Sequence, residues 1–361
     1  MNFHMIFTGY LNDDRKTRSV GGVQTYFYNL SKIIKNMGET PIIYYANDKT
    51  DGLVSETYYE DVKVVTLNCP KSEVSNKAIP LIPKNEVVIF GSEELALPYN
   101  GRVISIQHGI SWDKPELSNH NIGFVWRRAL RAYRLLKKIE LAEEVVCVDC
   151  NFINWYRTQV AYQNKIFTYI PNFSAIAKKV KKSDEVIHII FARRYEEFRG
   201  TKVFASAIEE VLDMRENIDV TFAGEGTDEK FLREKFLKNN RVHFTKYNSG
   251  DSLKIHSDMH IAVIPTIGSE GTSLSLLEAM SAQCAVVCTN VGGMTNIVLD
   301  HHNGLLVSSA NVEELKGAIL KLIDDKTLRE KLAENGYHTV EDSFSLSMWS
   351  ERWKNVLERY I

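Results

Sequence analysis

Asp258-Met-His-Ile261-Ala-Val-Ile264-Pro265 is followed by Thr266-Ile-Gly-Ser-Glu270-Gly-Thr-Ser-Leu-Ser-Leu-Leu-Glu278-Ala-Met280, and then by Ala285-Val-Val-Cys288-Thr-Asn-Val291-Gly-Gly293. The apolar run from Ile261 to Ile264, halted by a proline, has the pattern of a strand buried on both faces of a parallel sheet. A polar, glycine-bearing loop comes next, and then a helix. Thr272, Ser273 or Ser275 can cap it, Ser275 and Glu278 have capping-box spacing, and Leu274, Leu277 and Met280 supply an inward face. The amino end of such a helix offers unpaired N–H groups and a partial positive charge, which suits a phosphate or diphosphate. Glu270 and Glu278 flank that end with seven residues between them. Glu270 reaches toward a ligand at the helix tip, and Glu278 lies about two turns inward at about 1.5 Å per residue. A carboxylate can accept both hydroxyls of a ribose or hexose, although either glutamate alone also reads as an ordinary surface residue.

These residues resemble the retaining family 4 glycosyltransferases of the GT-B fold (glycosyl transferases group 1), whose hallmark is Glu-x7-Glu, a strand and a Gly-Gly turn. The match is carried by Glu270-Gly271-Thr272-Ser273-Leu274, by Glu278-Ala-Met and by Val291-Gly292-Gly293. The resemblance implies that Glu270 contacts the transferred sugar, that Glu278 holds the nucleotide ribose, and that Gly271, Thr272, Ser273 and Leu274 border the donor. One departure is visible. Where the family usually has Cys-Gly-x-Pro after the helix, this chain has Ala282-Gln283-Cys284-Ala285 and must turn without Gly or Pro.

A chain of 361 residues exceeds what one core usually organises, so two domains are expected. Apolar content of 44% and charged content of 25% are those of an ordinary globular protein, and a net charge of -2 argues against general nucleic-acid binding. No apolar run of about 18 residues occurs. The apolar start over 3–10 lacks the basic leader and cleavage site of a signal peptide and reads as a first strand. Five cysteines suggest a reducing cytoplasm. The pairs Cys147/Cys150 and Cys284/Cys288 have metal-like spacing, but they fall in or beside Val-rich strand patterns, which favours core cysteines.

After the first strand, Val20-Gly21-Gly22-Val23 opens a helix reaching about Met37. Gly21 and Gly22 let backbone approach a phosphate without a Cβ in the way, but the Gly-x-Gly-x-x-Gly dinucleotide spacing is absent. Strands are expected over 41–46, 62–67, 86–91, 102–107, 144–149 and 165–170. The fourth of these ends at His108, where open parallel sheets place ligands. By resemblance His108 is a second active-site candidate, a lone histidine being as readily structural. Over 126–142 a helix is expected with Arg127, Arg131, Arg134 and Lys138 in one basic stripe and Trp126, Ala129, Tyr133 and Leu136 turned away from it. That stripe reads either as a solvated face or as a contact for an anionic membrane surface.

Pro171-Asn172 and the charged stretch 178–184 read as a connection, placing the domains at 1–172, joined by a last helix over 347–361, and at 173–346. The second half continues with a strand over 186–191 and Ala192-Arg193-Arg194, then Arg199-Gly200. On the resemblance, Arg193 and Arg199 clamp the diphosphate, with Arg194 as a substitute for Arg193. Guanidinium suits that task because it binds bidentately and keeps its charge. Further strands are expected over 219–223, 242–245 and 305–307, and helices over 228–237, 312–324, 326–334 and 347–360.

The fold expected is α/β, with two Rossmann-like parallel-sheet domains facing across a central cleft. The resemblance implies transfer of a sugar, with retained configuration, from a UDP- or GDP-sugar to a glycan or lipid-linked glycan. The expected setting is bacterial polysaccharide, O-antigen or capsule synthesis in the cytoplasm or on its membrane face. No cofactor or metal is required, and no Asp-x-Asp occurs. The alternatives are a nucleotide-sugar epimerase, a sugar phosphorylase, or a non-catalytic carbohydrate-binding module. The glycine spacing makes a nicotinamide-dependent dehydrogenase the weakest of the options.

Overall fold

The computed structural model describes residues 1–19, 21–49, 52–109, 121–159, 165–268 and 270–361. They form two compact units. One holds the described residues through His108, those from 121 to Ile170, and Trp349–Ile361; the other holds Gly109 and Pro171–Met348.

The first unit is built from β1 (Asn2–Phe7), α1 (Gly22–Asn36), β2 (Thr40–Ala46), β3 (Val54–Tyr59), β4 (Val62–Leu67), α2 (Val74–Ala78), β5 (Val87–Phe90), β6 (Arg102–Gln107), α3 (Ile122–Ile139), β7 (Glu144–Cys147), α4 (Cys150–Gln159) and β8 (Ile166–Tyr169). Its strands form one sheet in the order β3-β4-β2-β1-β5-β6-β7-β8, parallel except where β3 runs against β4. The strand order reverses at β1, which pairs with both β2 and β5, and sheets of this kind bind ligands beyond the strand ends at such a point. Strand β3 has no counterpart among the sequence expectations. Val-Ser-Glu-Thr-Tyr-Tyr alternates exposed and half-buried positions along a sheet edge, so it lacks the apolar run that marks the other strands. The chain's end completes this core. Trp353 Nε1 donates to the hydroxyl of Tyr26 at 2.8 Å, and Trp349 meets the same ring edge-on at 4.9 Å.

The second unit carries β9 (Ile187–Ala192), α5 (Thr201–Met214), β10 (Ile218–Ala223), α6 (Glu229–Lys235), β11 (Val242–Thr245), α7 (Ser252–His256), β12 (Ile261–Ile264), α8 (Leu274–Ser281), β13 (Ala285–Thr289), β14 (Leu305–Val307), α9 (Val312–Asp324), α10 (Lys326–Ser343) and the start of α11 (Leu346–Leu357). Its parallel sheet runs β11-β10-β9-β12-β13-β14, again reversing order at one pair of strands, β9 and β12. One face is packed by the apolar sides of α5 and α9, through Phe204, Ile208, Leu315 and Ile319. Helix α10 continues nine residues past the expected stop at Glu334, because Tyr337 and Val340 carry its buried face through Gly336.

Gln283 makes the turn after α8 with φ +54, the left-handed conformation that glycine adopts without strain. Its amide nitrogen donates to Glu334 at 2.8 Å, a half-exposed contact that offsets part of the cost. Gln283→Gly is therefore expected to raise stability by about 0.5 kcal/mol, read as a small rise in melting midpoint; a clear fall would place more weight on the Glu334 contact.

Candidate functional site

The carboxyl ends of β9 and β12 lie side by side in the second unit, and each contributes to one buried ion cluster. Arg193, the first residue after β9, is 7% exposed. Its Nη2 donates to both carboxylate oxygens of Glu270, at 2.7 and 2.6 Å, and its Nη1 donates to Thr266 Oγ1. The Thr266 hydroxyl donates to Glu270 Oε2 at 2.6 Å, and Arg199 Nη1 donates to Oε1 at 2.8 Å. Burial alone would raise the carboxyl of Glu270, but Arg193, Arg199 and Thr266 together hold it down at about 2. The cluster of two guanidiniums and one carboxylate carries a net positive charge. Arg199, with 21% of its side chain exposed against 4% for Arg193, is the member a ligand can reach.

Two close backbone approaches place these groups. Gly200, at φ +80, seats the start of α5 against the end of β12, where an added Cβ would stand 1.8 Å from the Pro265 carbonyl oxygen. Pro265 itself, lacking an N–H, ends β12 and turns the chain into the loop. Gly292, at φ +53, lies under Glu270: a Cβ there would meet the Glu270 carbonyl oxygen at 2.1 Å, and the neighbouring Gly293 N–H donates to that oxygen at 2.6 Å. On the far side of the loop, the side-chain amide of Asn172 donates to the Thr272 carbonyl at 2.8 Å.

Helix α8 begins beside this cluster, with Ser273 at its N-cap. Three local expectations are corrected here. The Ser273 hydroxyl makes no cap bond and lies 3.3 Å from that of Ser275. No capping box forms, because Glu278 turns inward to Ser252. Burial, only partly offset by that hydrogen bond, pushes its carboxyl up to about 7. The inward face is Leu276, Leu277, Ala279 and Met280, with Leu274 only half-buried, because the helix starts at Leu274 and its first turn borders the loop. Thr272 and Ser273 are buried, and Gly271 and Leu274 half-buried. Thr266 is the participant sequence reading missed. Its only signal was its place immediately after the strand-ending proline.

Other predicted residues lie elsewhere. Arg194 is 67% exposed and pairs with Glu196 at 3.4 Å, so it does not replace Arg193. Apart from these, Lys246 after β11 pairs with Glu225 at 2.7 Å, and Tyr247 donates to the Ala192 carbonyl at 3.3 Å and lies within electrostatic reach of Arg193 and Glu278. In the first unit, Gly21 is the N-cap of α1 and Gly22 its first residue. His108 stands at the end of β6, edge-on to Tyr26 of α1 at 5.3 Å. Burial pushes its ring down to about 4, against a hydrogen bond to the Gly91 backbone, so the imidazole is neutral near pH 7. Its Nε2 has no hydrogen-bond partner among the described residues. A cavity of about 910 Å³ opens at the carboxyl ends of β1, β2 and β4, lined among others by Asn12, Asp13, Gln24, Asn47 and Lys49.

The basic stripe of α3 is only partly solvated. Arg131, itself exposed, donates to Glu94 at 3.0 Å, half-buried Lys138 donates to the Ala96 carbonyl at 2.5 Å, and Arg127 and Arg134 are exposed. Trp126 and Tyr133, which lie away from the stripe, are 70% and 57% exposed, and α3 is buried through Leu135 and Ile139. Cys147, Cys284 and Cys288 are buried and Cys150 half-buried. Among the described residues no group of three or more His, Cys, Asp or Glu side chains is placed to hold a metal, and no helix is long and apolar enough to cross a membrane.

Residues 172–339 match the family model for glycosyl transferases group 1. An uncharacterized glycosyltransferase of Methanocaldococcus jannaschii, MJ1069, is 26% identical over 72% of this chain and 69% of its own length. The capsular polysaccharide biosynthesis glycosyltransferase CapM of Staphylococcus aureus is 29% identical over 31% of this chain and 29% of its own length. Among solved structures, S. aureus TarM, in a complex with Fondaparinux, alpha-GlcNAc-glycerol and UDP, superposes with a TM-score of 0.75 at 11% identity, covering 98% of this chain and 99% of that one. At that identity the likeness concerns the fold, which is GT-B with its two Rossmann-like parallel sheets.

Proposed function

Because residues 172–339 belong to the glycosyl transferases group 1 family, we propose that this glycosyltransferase moves a sugar, with retained configuration, from a nucleoside-diphosphate sugar to a hydroxyl of a glycan or lipid-linked glycan. The observation that carries the proposal is the buried Arg193–Glu270–Arg199 cluster at the amino end of α8. Leaving-group departure builds negative charge on the diphosphate, and fixed positive charge at that place stabilises it as it forms. Arg199 takes the diphosphate, together with the α8 amino end at Gly271, Thr272, Ser273 and Leu274. Arg193 keeps Glu270 ionised and aimed. When Arg199 turns to the diphosphate, Oε1 of Glu270 loses one donor and becomes free to accept a sugar hydroxyl. The acceptor oxygen then bonds to the anomeric carbon from the face the phosphate leaves as the bond to the diphosphate breaks, its proton passing to the departing phosphate oxygen, with no covalent enzyme intermediate or metal needed.

In the first unit, Gly21, Gly22 and His108 contribute to the same reaction. The neutral Nε2 of His108, lacking a partner among the described residues, accepts a hydrogen bond from a sugar hydroxyl. The Asn- and Asp-rich cavity of that unit takes the acceptor. That CapM acts in capsular polysaccharide biosynthesis and that TarM was captured with UDP supports a bacterial surface glycan and a UDP donor for this chain. Where the acceptor is lipid-linked, the enzyme works at the cytoplasmic membrane face.

Melting shifts with UDP-, GDP- and ADP-sugars test the donor class, since a ligand that binds the folded state raises the midpoint by mass action. One base should stand out; no shift with any of them contradicts the proposal. Proton NMR of the first product tests retention, and turnover in a chelator tests metal independence.

Glu278 adds a pH signature. Its carboxyl is raised to about 7, so it stabilises the folded protein least above that pH, where it is ionised and still buried. The ionised form is the one that accepts both ribose hydroxyls. Nucleotide affinity should therefore tighten about threefold or more as pH rises through 7, and Glu278→Gln should flatten that profile. A flat profile in the unaltered protein would remove Glu278 from ribose binding.

A further inference from the structure

Helix α3 carries six cations and no carboxylate between Ile122 and Ile139, in a chain whose net charge is -2. Ile122, Val125, Trp126, Leu130 and Tyr133 are 77%, 58%, 70%, 48% and 57% exposed. At about 100° per residue, Ile122, Val125, Trp126 and Tyr133 fall within an arc of about 100°, with Leu130 on its edge. Lys137 and Arg134 border one side of this ridge, and Arg128 borders the other. The pose is fixed from beneath: Leu135 and Ile139 are buried, Arg131 holds Glu94 and Lys138 the Ala96 carbonyl, so the ridge points outward. A contiguous outward face of four or five large apolar side chains marks an interaction surface rather than ordinary scatter.

We infer that α3 lies in the headgroup region of an anionic bilayer, with Ile122, Val125, Trp126 and Tyr133 entering the acyl boundary and Arg128, Arg134 and Lys137 reaching anionic headgroups. Trp and Tyr suit that boundary because each has an apolar body and a polar atom. Long cationic side chains on the borders of an apolar arc extend to the headgroups while their stems cover the ridge. Charge complementarity selects this occupant over a second copy of the chain. Two copies meeting through this face would bring two helices together that carry only cations, with no carboxylate on either to offset them. The inference rests on the proposed lipid-linked acceptor for its purpose only, since binding to lipid requires no donor and no turnover.

Sedimentation of the full chain with vesicles tests it directly. The protein should pellet with vesicles of mixed phosphatidylcholine and phosphatidylglycerol and remain in solution with phosphatidylcholine alone. Trp126→Ser combined with Tyr133→Ser should weaken binding by about tenfold or more, with the melting midpoint and the nucleotide-induced melting shift unchanged because both side chains are exposed. Trp126→Phe should retain binding and lose most of the lipid-induced tryptophan blue shift. Failure to pellet with anionic vesicles, equal binding to the neutral ones, or a lipid-free dimer abolished by the double substitution would each overturn the proposal. None of these outcomes bears on donor binding, which the nucleotide melting shift reads separately.

Discussion

Arg193→Met is expected to lower the melting midpoint of the protein by roughly 10 °C and to abolish measurable transfer. Removing one partner of a buried pair leaves the other charge unpaired, at a cost of about 3 to 5 kcal/mol, and a domain of this size loses about 2 to 4 °C per kcal/mol. Glu270 would retain only Arg199 and Thr266, and burial would then push its carboxyl upward. The pH dependence gives the sign. A carboxyl held at about 2 in the folded state contributes stability above its ordinary range near 4.5, and that contribution disappears as pH falls toward 2. The gap between the two proteins should therefore be widest at neutral pH and close in acid. Urea midpoints at pH 7 and pH 3 measure it; equal gaps at both would show that the stabilisation does not come from an ionised Glu270.

Gly292→Ala is expected to lower kcat/KM by about 10²-fold, the penalty for moving a catalytic group by about 1 Å. The alanine Cβ would stand 2.1 Å from the carbonyl oxygen of Glu270 and 2.6 Å from its nitrogen, and both are backbone atoms that cannot rotate away. The loop must shift, and Glu270 shifts with it. Stability should fall by about 1 to 3 kcal/mol, as for overpacking, and φ +53 adds strain for any residue with a Cβ. The contrast is Gly317→Ala in α9, where an added Cβ meets nothing within 4 Å and stability should rise by about 0.5 to 1 kcal/mol with activity intact. Near-normal kcat/KM in Gly292→Ala would mean that the position of Glu270 does not govern the reaction.

Much of the fold was legible because its strands are apolar runs closed by Gly, Pro or polar residues. The bounds of β4, β6, β11 and β14 agree with the sequence reading residue for residue. Strand β3 was not legible, since an edge strand buries little and its alternation is shallow. Glu270 and Glu278 could be singled out from their spacing around a helix start, and Arg193 and Arg199 only through the resemblance; the pairing of both arginines with Glu270 could not. Nothing in a linear sequence says that a guanidinium after β9 lies against a carboxylate after β12, which depends on which strands are neighbours. The orientation of α3 was not legible for another reason. Periodicity separates an apolar arc from a basic one but does not say which meets the protein. Here Lys138 and Arg131 lie along the docked side and hold it through polar ends, while the apolar arc faces out.

A crystal structure of the protein with the nucleoside diphosphate that shifts its melting midpoint most tests the central claim. The diphosphate should contact the Arg199 guanidinium and the backbone N–H groups at the start of α8, with the ribose hydroxyls on Glu278 and Arg193 still paired to Glu270. A diphosphate bound away from Arg199, with the Arg199–Glu270 bond intact, would contradict it.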